Sequence, residues 1–591
     1  MTDADRDAYL TGLTPGDSID HRGTTFTEPL LLALLNALRD PATEKVRVGD
    51  ARFGSATFEG DARFGSATFE GDARFGSATF EGQAWFRPAT FEGDARFGSA
   101  TFEGRARFRL ATFGAGAWFE RATFQSDAVF GWATFGGQAR FGSATFGAGA
   151  WFERATFQSD AVFGLATFGG LAWFESATFE RGAWFGSVTF EDDAWFESAT
   201  FDGDAVFGSV TFEGDARFES ATFVTAGSFG PLVCAGRIVL SGAAFGSPVT
   251  LSFAARRLEC RRTRWSATAE IRLRYATVDF AHAVFEYPLT IAAEPDPFVL
   301  TNGSGMPDTA LASAPGPDVR LASLRGVDAA HLVLADVDLS DCLFTGTVHL
   351  DQLRLEGACT FDTAPSSVHW LRWPPVRFTE RRVLAEEHHW RASQPGAVRG
   401  WNVAVLGAGR AGPLQLAPVY RALRKALEDG KHEPGAADFY YGEMEMRRHA
   451  DDIPRGERGL LTGYWALSGY GLRASRALAW LGAAMLLTIV LLMAFGLAQD
   501  TPKQTATGPV PAGGGKVTFE IDKDDPRNPT GDRFTGERFE KALNVTLNSV
   551  VFRSSGQDLT TAGTYIEMTS RLTEPVLLGL AVLAVRNRVK R

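Results

Sequence analysis

The sequence predicts an all-β, right-handed parallel β-helix solenoid of quadrilateral section, followed by a helical linker and a C-terminal α-helical transmembrane region. Three observations predict it. An eleven-residue repeat runs sixteen times without a slip, with one Phe series from Phe53 to Phe218 and a second from Phe58 to Phe223. Within each repeat an Ala stands two residues before each Phe, as in Ala56 and Phe58 or Ala62 and Phe64. Near the C-terminus, Ala477 to Ala498 forms an uncharged, almost wholly apolar stretch of 22 residues, which is long enough to span a bilayer.

The repeat fixes the fold by elimination. Phe residues five and six apart lie roughly 120–140° apart around a helix and share no apolar stripe, and a Gly in most repeats opposes a helix interior. In an extended segment, residues two apart point to the same side, so Ala56 and Phe58 face inward while Thr57 faces out. Each triplet is too short for an independent strand and is bounded by Gly, Ser or Asp, so the chain turns every five or six residues. Four such sides close a square coil of 22 residues, and stacking at roughly 4.8 Å gives about eight coils for residues 48–225. Phe53, Phe58, Phe64, Phe69, Phe75 and Phe80 open the core ladders. The residue added in every second unit reads as a one-residue bulge at alternate corners.

The Ala-x-Phe-x-x unit resembles the bacterial pentapeptide-repeat family, in an eleven-residue variant. The resemblance implies a β-helix and a protein-interaction role rather than catalysis. Weaker copies, Leu321-Ala-Ser-Leu-Arg325 and Ala335-Asp-Val-Asp-Leu-Ser-Asp-Cys-Leu-Phe344, extend a degenerate β-helix over 226–360, with Ala293 to Pro317 as its main interruption. Ahead of the repeats, residues 1–47 are expected to form a helical cap. There Thr27 is the N-cap and Pro29 lies in the first turn of the apolar helix.

Residues 361–455 read as a helical linker containing a hairpin, Val419 to Glu428 and Ala436 to His449, where Tyr420, Leu423 and Leu427 meet Phe439, Tyr440 and Met444. The membrane region, 456–591, consists of a helix over 477–498, an outside loop over 499–538, an amphipathic or re-entrant segment over 539–552 and a second helix over about 564–586. Arg455, Arg458, Arg473 and Arg476 precede the first span, and Arg586, Arg588, Lys590 and Arg591 follow the second. Both ends, and the repeat domain, are therefore expected on the cytoplasmic side of the cell membrane. The second span must accommodate Glu567, Arg571 and Glu574. This arrangement resembles a two-helix pore domain of potassium-channel type over about 115 residues. Where such a pore carries Thr-x-Gly-Tyr-Gly, this chain has Arg553-Ser-Ser-Gly-Gln-Asp558, so potassium selectivity is not expected.

Composition narrows the function. Phe (48) and Gly (64) far exceed Tyr (9) and Met (7), as one stereotyped core requires. A net charge of -11 without clustered Lys and Arg argues against nucleic-acid binding. Cys234, Cys260, Cys342 and Cys359 show no CxxC spacing and read as inert thiols of a reducing compartment. The N-terminus lacks a basic segment followed by an apolar stretch, so no cleaved export signal is expected. Val403-Ala-Val-Leu-Gly-Ala-Gly-Arg-Ala-Gly412 matches a dinucleotide fingerprint, but Pro413 and Pro418 occupy its helix start, so it is read as a connector. His388-His389 beside Glu386 and Glu387 diverge by about 100° on a helix and are read as a solvated face. No cofactor, metal or catalytic residue is expected.

Two features suggest partners. From Asp50 to Glu219 there are 24 acidic and 13 basic residues. This balance resembles that of pentapeptide proteins that mimic DNA and bind topoisomerases, although the bland reading is a solvated outer face. At 22-residue spacing Trp151, Trp173 and Trp195 fall on one face as an indole ladder, either for a protein partner or merely stacking to stabilise the face. The expected protein is a non-enzymatic scaffold with the lipid bilayer and an unidentified protein as partners, self-association being left open. A channel-like assembly and a topoisomerase inhibitor are the alternatives.

Overall fold

The computed structural model describes residues 3–300, 303–312, 314, 316–365, 368–369, 376–377, 380–395, 397, 399–401, 409, 411–499, 504–509, 512–523, 526–528 and 530–589. The chain divides into two compact units, residues 1–411 with 422–431, and residues 412–421 with 432–591.

The first unit is a parallel β-solenoid of about 14 turns. Each triplet gives a two-residue strand, such as Ala51–Arg52 or Thr57–Phe58. Strands pair in parallel with those 22 residues away, Ala84 opposite Ala62 and Ala106, Thr90 opposite Thr68 and Thr112. Ala51, Phe53, Ala56 and Phe58 are buried, while Arg52 and Thr57 between them are partly exposed. The period-two alternation thus fills the interior with Phe in four columns. Rings of successive turns stack with centroids 4.7 Å apart for Phe58 and Phe80, 5.0 Å for Phe64 and Phe86, and 4.9 Å for Phe69 and Phe91. Columns on opposite sides meet edge to face across the interior, as Phe75 and Phe86 do at 5.6 Å and 82°. Offset stacks and edge contacts both suit the ring quadrupole.

The corners alternate between two forms. In the five-residue unit the Ala56 N–H donates to the Phe53 carbonyl at 3.0 Å, with Ser55 left-handed at φ 57°. The six-residue unit turns through three residues, Glu59-Gly60-Asp61. The bulge expected there is absent. From Ala51 to Phe201 strand register is undisturbed, because every turn carries the extra residues at the same places. At several turns that residue is an Asp whose carboxylate caps the next turn: Oδ1 of Asp50, Asp72 and Asp94 accepts from the amides of Asp72, Asp94 and Gly116 at 3.1, 3.2 and 3.1 Å. Register shifts occur instead between Phe201 and Asp204, and between Phe229 and Leu232. There the regular Phe pattern gives way to the long strands Ser228–Val239 and Val249–Glu259.

At the N-terminus the first turn begins earlier than the repeat. Ile19–Asp20 and Thr25–Phe26 pair with Ala51–Arg52 and Thr57–Phe58. After helix α1 (Asp3–Thr11), helix α2 (Glu28–Ala37) takes the place of the next side and buries Leu31, Leu34 and Leu35. Thr27 is its N-cap residue, in extended conformation, but makes no side-chain cap bond. At the other end Leu332–Ala335 pairs with Arg354–Glu356, and a parallel bridge from Asp338 to Thr360 follows. The excursion between Leu289–Ala293 and Arg320–Ser323 packs Met306 and Leu311 on Val233 and Ala254.

Helix α3 (Ala385–Ala392) closes this unit and corrects the reading of residues 386–388 as a solvated face. Glu386, Glu387 and His388 are buried, at 1%, 0% and 2% exposure. Glu386 Oε1 accepts from the backbone N–H groups of Phe344 and Thr345, at 2.6 and 2.9 Å, so it satisfies amides at the solenoid end. Glu387 accepts from the guanidinium groups of Arg381 and Arg391, at 2.7 and 2.6 Å. A buried carboxylate is tolerable because these donors replace water. The glycine pattern at 403–412 lies mostly outside the described residues.

Helix α4 (Pro413–Asp429) runs from the second unit into the first. In the second unit Tyr420 packs on Phe439 of helix α5 (Glu433–His449) at 5.5 Å. Helix α6 (Arg455–Ser468) follows, then α7 (Ala474–Leu491), whose last turn, Leu492–Gly496, widens to a π-helix. Helix α8 (Gly536–Val550) places Ala542 and Val545 against Ile489, Leu492 and Met493 of α7, and Arg538 caps the end of α7 by donating to the carbonyls of Met493, Leu497 and Ala498. Helix α9 (Thr561–Val589) returns along α7, with Gly563 directly against Gly496. Residues 474–496 and Thr561–Arg586 are long and apolar enough to cross a membrane, with mean hydropathy of 2.4 and 1.4.

Candidate protein-interaction face

The outward position of each Ala-x-Phe triplet is free of the core, so its identity sets the surface. On one side of the solenoid that column reads Arg63, Trp85, Arg107, Val129, Trp151, Trp173, Trp195, Arg217. The structure brings the three predicted indoles together in strict register. Trp151 and Trp173 lie 4.8 Å apart at 34°, Trp173 and Trp195 5.1 Å apart at 14°. The Arg217 guanidinium closes the stack 4.3 Å from the Trp195 ring, and Arg107 covers Trp85 in the same way at 3.9 Å. The indoles are half-buried. They stack and also leave surface open, so the two readings of the ladder are compatible.

Local sequence shapes the ladder. Gly149, two residues before Trp151, leaves room for the indole to fold back; a methyl there would stand 2.7 Å from Trp151 Nε1. The Nε1 atoms of Trp173 and Trp195 are buried without a hydrogen-bond partner among the described residues.

Sequence reasoning missed a second column. Two residues after each of these positions stand Glu153, Glu175, Glu197 and Glu219, one per turn at the corner beside the indoles. Their backbones are tied in sequence: the N–H groups of Arg154, Ser176 and Ser198 donate to the carbonyls of Glu175, Glu197 and Glu219 at 2.9, 2.8 and 2.8 Å. None of the four carboxylates has an ion-pair partner among the described residues. Burial pushes the Glu153 carboxyl up, and Glu175 adds to this against Arg109; burial and Glu197 do the same to Glu219 against Arg217. The signal was present in the repeated Ala-Trp-Phe-Glu of 150–153, 172–175 and 194–197. It was legible once the 22-residue period was applied to every position, not only to Trp.

The face combines apolar rings with a row of like charges. Among the described residues no group of His, Cys, Asp or Glu is arranged to hold a metal ion. Cys234 is buried and its thiol is pushed up to about 12 by burial, so it is unreactive.

A regular β-solenoid with an interchangeable interior and a varied exterior defines a class of interaction modules. Within it, the regular turns match the family model of pentapeptide repeats, in nine copies over residues 45–90, 89–131 and 152–200. No curated protein and no solved structure matches the chain.

Proposed function

We propose that the chain is a membrane-anchored interaction scaffold whose solenoid docks a cation-bearing protein on the Trp151, Trp173, Trp195 face. The observation that carries this reading is the pairing of stacked, half-exposed indoles with four carboxylates that form no close ion pair among the described residues. Arginine and lysine side chains satisfy both, by cation–π contact and by charge. The anchor rests on the two long apolar helices, and the arginines ahead of α7 favour a cytoplasmic solenoid.

Full-length protein in lipid nanodiscs, titrated with a fluorescent arginine-rich peptide, tests the docking face. Saturable binding that weakens with salt is expected. Trp151→Thr/Trp173→Thr/Trp195→Thr is expected to lose about tenfold or more, since a desolvated aromatic anchor contributes roughly 2 kcal/mol. Unchanged affinity in that variant, and in one with all four Glu changed to Gln, overturns the reading. Alkaline extraction of native membranes tests the anchor, which requires the chain to stay with the pellet.

A second reading, self-assembly of the second unit into a channel-like oligomer, is favoured by the packing of α8 against α7. It requires planar-bilayer currents from the full-length chain that a chain ending near Arg455 does not give.

A further inference from the structure

Glu574 lies on α9 with its side chain fully buried, at 0% exposure. Its Oε1 stands 2.9 Å from Thr488 Oγ1 on α7, and the same hydroxyl stands 3.0 Å from the Ala484 carbonyl. A threonine hydroxyl carries one hydrogen, whereas a carbonyl and an ionised carboxylate only accept. If Thr488 donates to Ala484, an ionised Glu574 faces a lone pair. If it donates to Glu574, the short approach to Ala484 goes without a hydrogen. One proton on the carboxyl resolves the count: Glu574 donates to Thr488, and Thr488 donates to Ala484. Ser570 Oγ, one helical turn earlier, lies beside the carboxyl, but neither it nor Glu574 Oε2 makes a hydrogen bond of ordinary geometry among the described residues.

Among the described residues no cation forms an ion pair with Glu574. From Ala477 to Gly496, α7 carries no ionisable residue. On α9 the nearest pair, Glu567 and Arg571, is closed on itself at 2.8 Å. The charged groups of α8 (Glu537, Arg538, Glu540, Lys541) lie in its first half, with Arg538 spent on the α7 carbonyls. On α6, Arg455, Glu457 and Arg458 lie in the first turn, and Glu457 is taken by Arg447 at 2.8 Å. An ionised carboxylate buried without a counter-charge takes up a proton instead.

We infer that Glu574 is a proton-binding site, neutral at neutral pH, whose carboxyl donates to Thr488 and ties α9 to α7. Losing the proton puts a charge between the two helices and breaks the tie, so this contact is a pH-sensitive joint. It rests on the hydrogen count within the second unit and is independent of what the solenoid binds.

Dicyclohexylcarbodiimide, which reacts with protonated carboxyls in apolar surroundings, tests it on the full-length chain in nanodiscs, read by peptide mass spectrometry. Labelling of Glu574 at neutral pH that declines as pH is raised is expected, with Glu567, paired to Arg571, left unlabelled. Infrared spectra are expected to show a protonated-carboxyl band that Glu574→Gln removes. Thr488→Val, which keeps the shape and removes the acceptor, is expected to lower the pH at which labelling is lost. An unlabelled Glu574 in a chain of normal helix content, with no such band, overturns the inference. So does labelling abolished by sodium ions at constant pH, which assigns the site to a metal cation.

Discussion

Glu153 and Glu219 stand at the two ends of the carboxylate column, and their chemistry sets how the face responds to pH. Both are held above the ordinary value of 4.5, chiefly by burial and then by a carboxylate one turn away. A carboxyl raised on folding destabilises the fold when ionised; the effect is absent below the ordinary value and develops as pH rises through the raised one. Lowering pH from neutral into the range just above 4.5 is therefore expected to stabilise the wild-type chain relative to Glu153→Gln/Glu219→Gln, read as the difference in melting temperature at two pH values. Asp215 has the opposite sense. Burial pushes it up, but the guanidinium and N–H of Arg237 bring it below 3.8, so its contribution is lost only at lower pH and leaves that window clear.

A turn of the solenoid is the element that bears load. Phe130 stacks on Phe108 at 4.9 Å and on Phe152 at 4.8 Å, in mid-rod. Phe130→Ala is expected to cost about 3–5 kcal/mol, the range for a large aromatic lost from a core. Because each turn touches only its neighbours, the unfolding transition is expected to broaden or split rather than simply shift, as calorimetry would show. The turn was legible in the sequence, since Ala56 and Phe58 must face one way and nothing but a short strand lets them. The third corner residue was visible as a spacing, but its role was not. That Asp50 caps the amide of Asp72 depends on two residues 22 apart meeting through space, and the sequence offered a bulge as the nearer explanation. Glu386 and Glu387 escaped for a related reason. Adjacent charges on a short helix look solvated until Arg381, Arg391 and the amides at 344–345 are found around them.

A stack of turns has two open ends, and the whole solenoid depends on closing them. Leu31, Leu34 and Leu35 cover the first turn, and Glu386 serves the last. Glu386→Ala leaves two buried amides unpaired at a cost of about 1–3 kcal/mol. Faster amide exchange is expected at Phe344 and Thr345, with the turns around Phe130 unaffected, as hydrogen exchange with mass spectrometry would resolve. Between the ends, the 22-residue register has a consequence for how such a chain changes over generations. Residues 116–137 and 149–170 are near copies, so unequal recombination can add or delete segments of the gene without harming the interior. A change of 22 residues lengthens or shortens the rod by one notch and leaves every column intact. A change of 11 residues preserves the core equally well, yet it carries everything downstream half a turn around the axis, so the Trp column would continue on the opposite side. The near copies themselves stand 33 residues apart, one and a half turns, so the chain already carries one such half-turn change of phase on an undisturbed core.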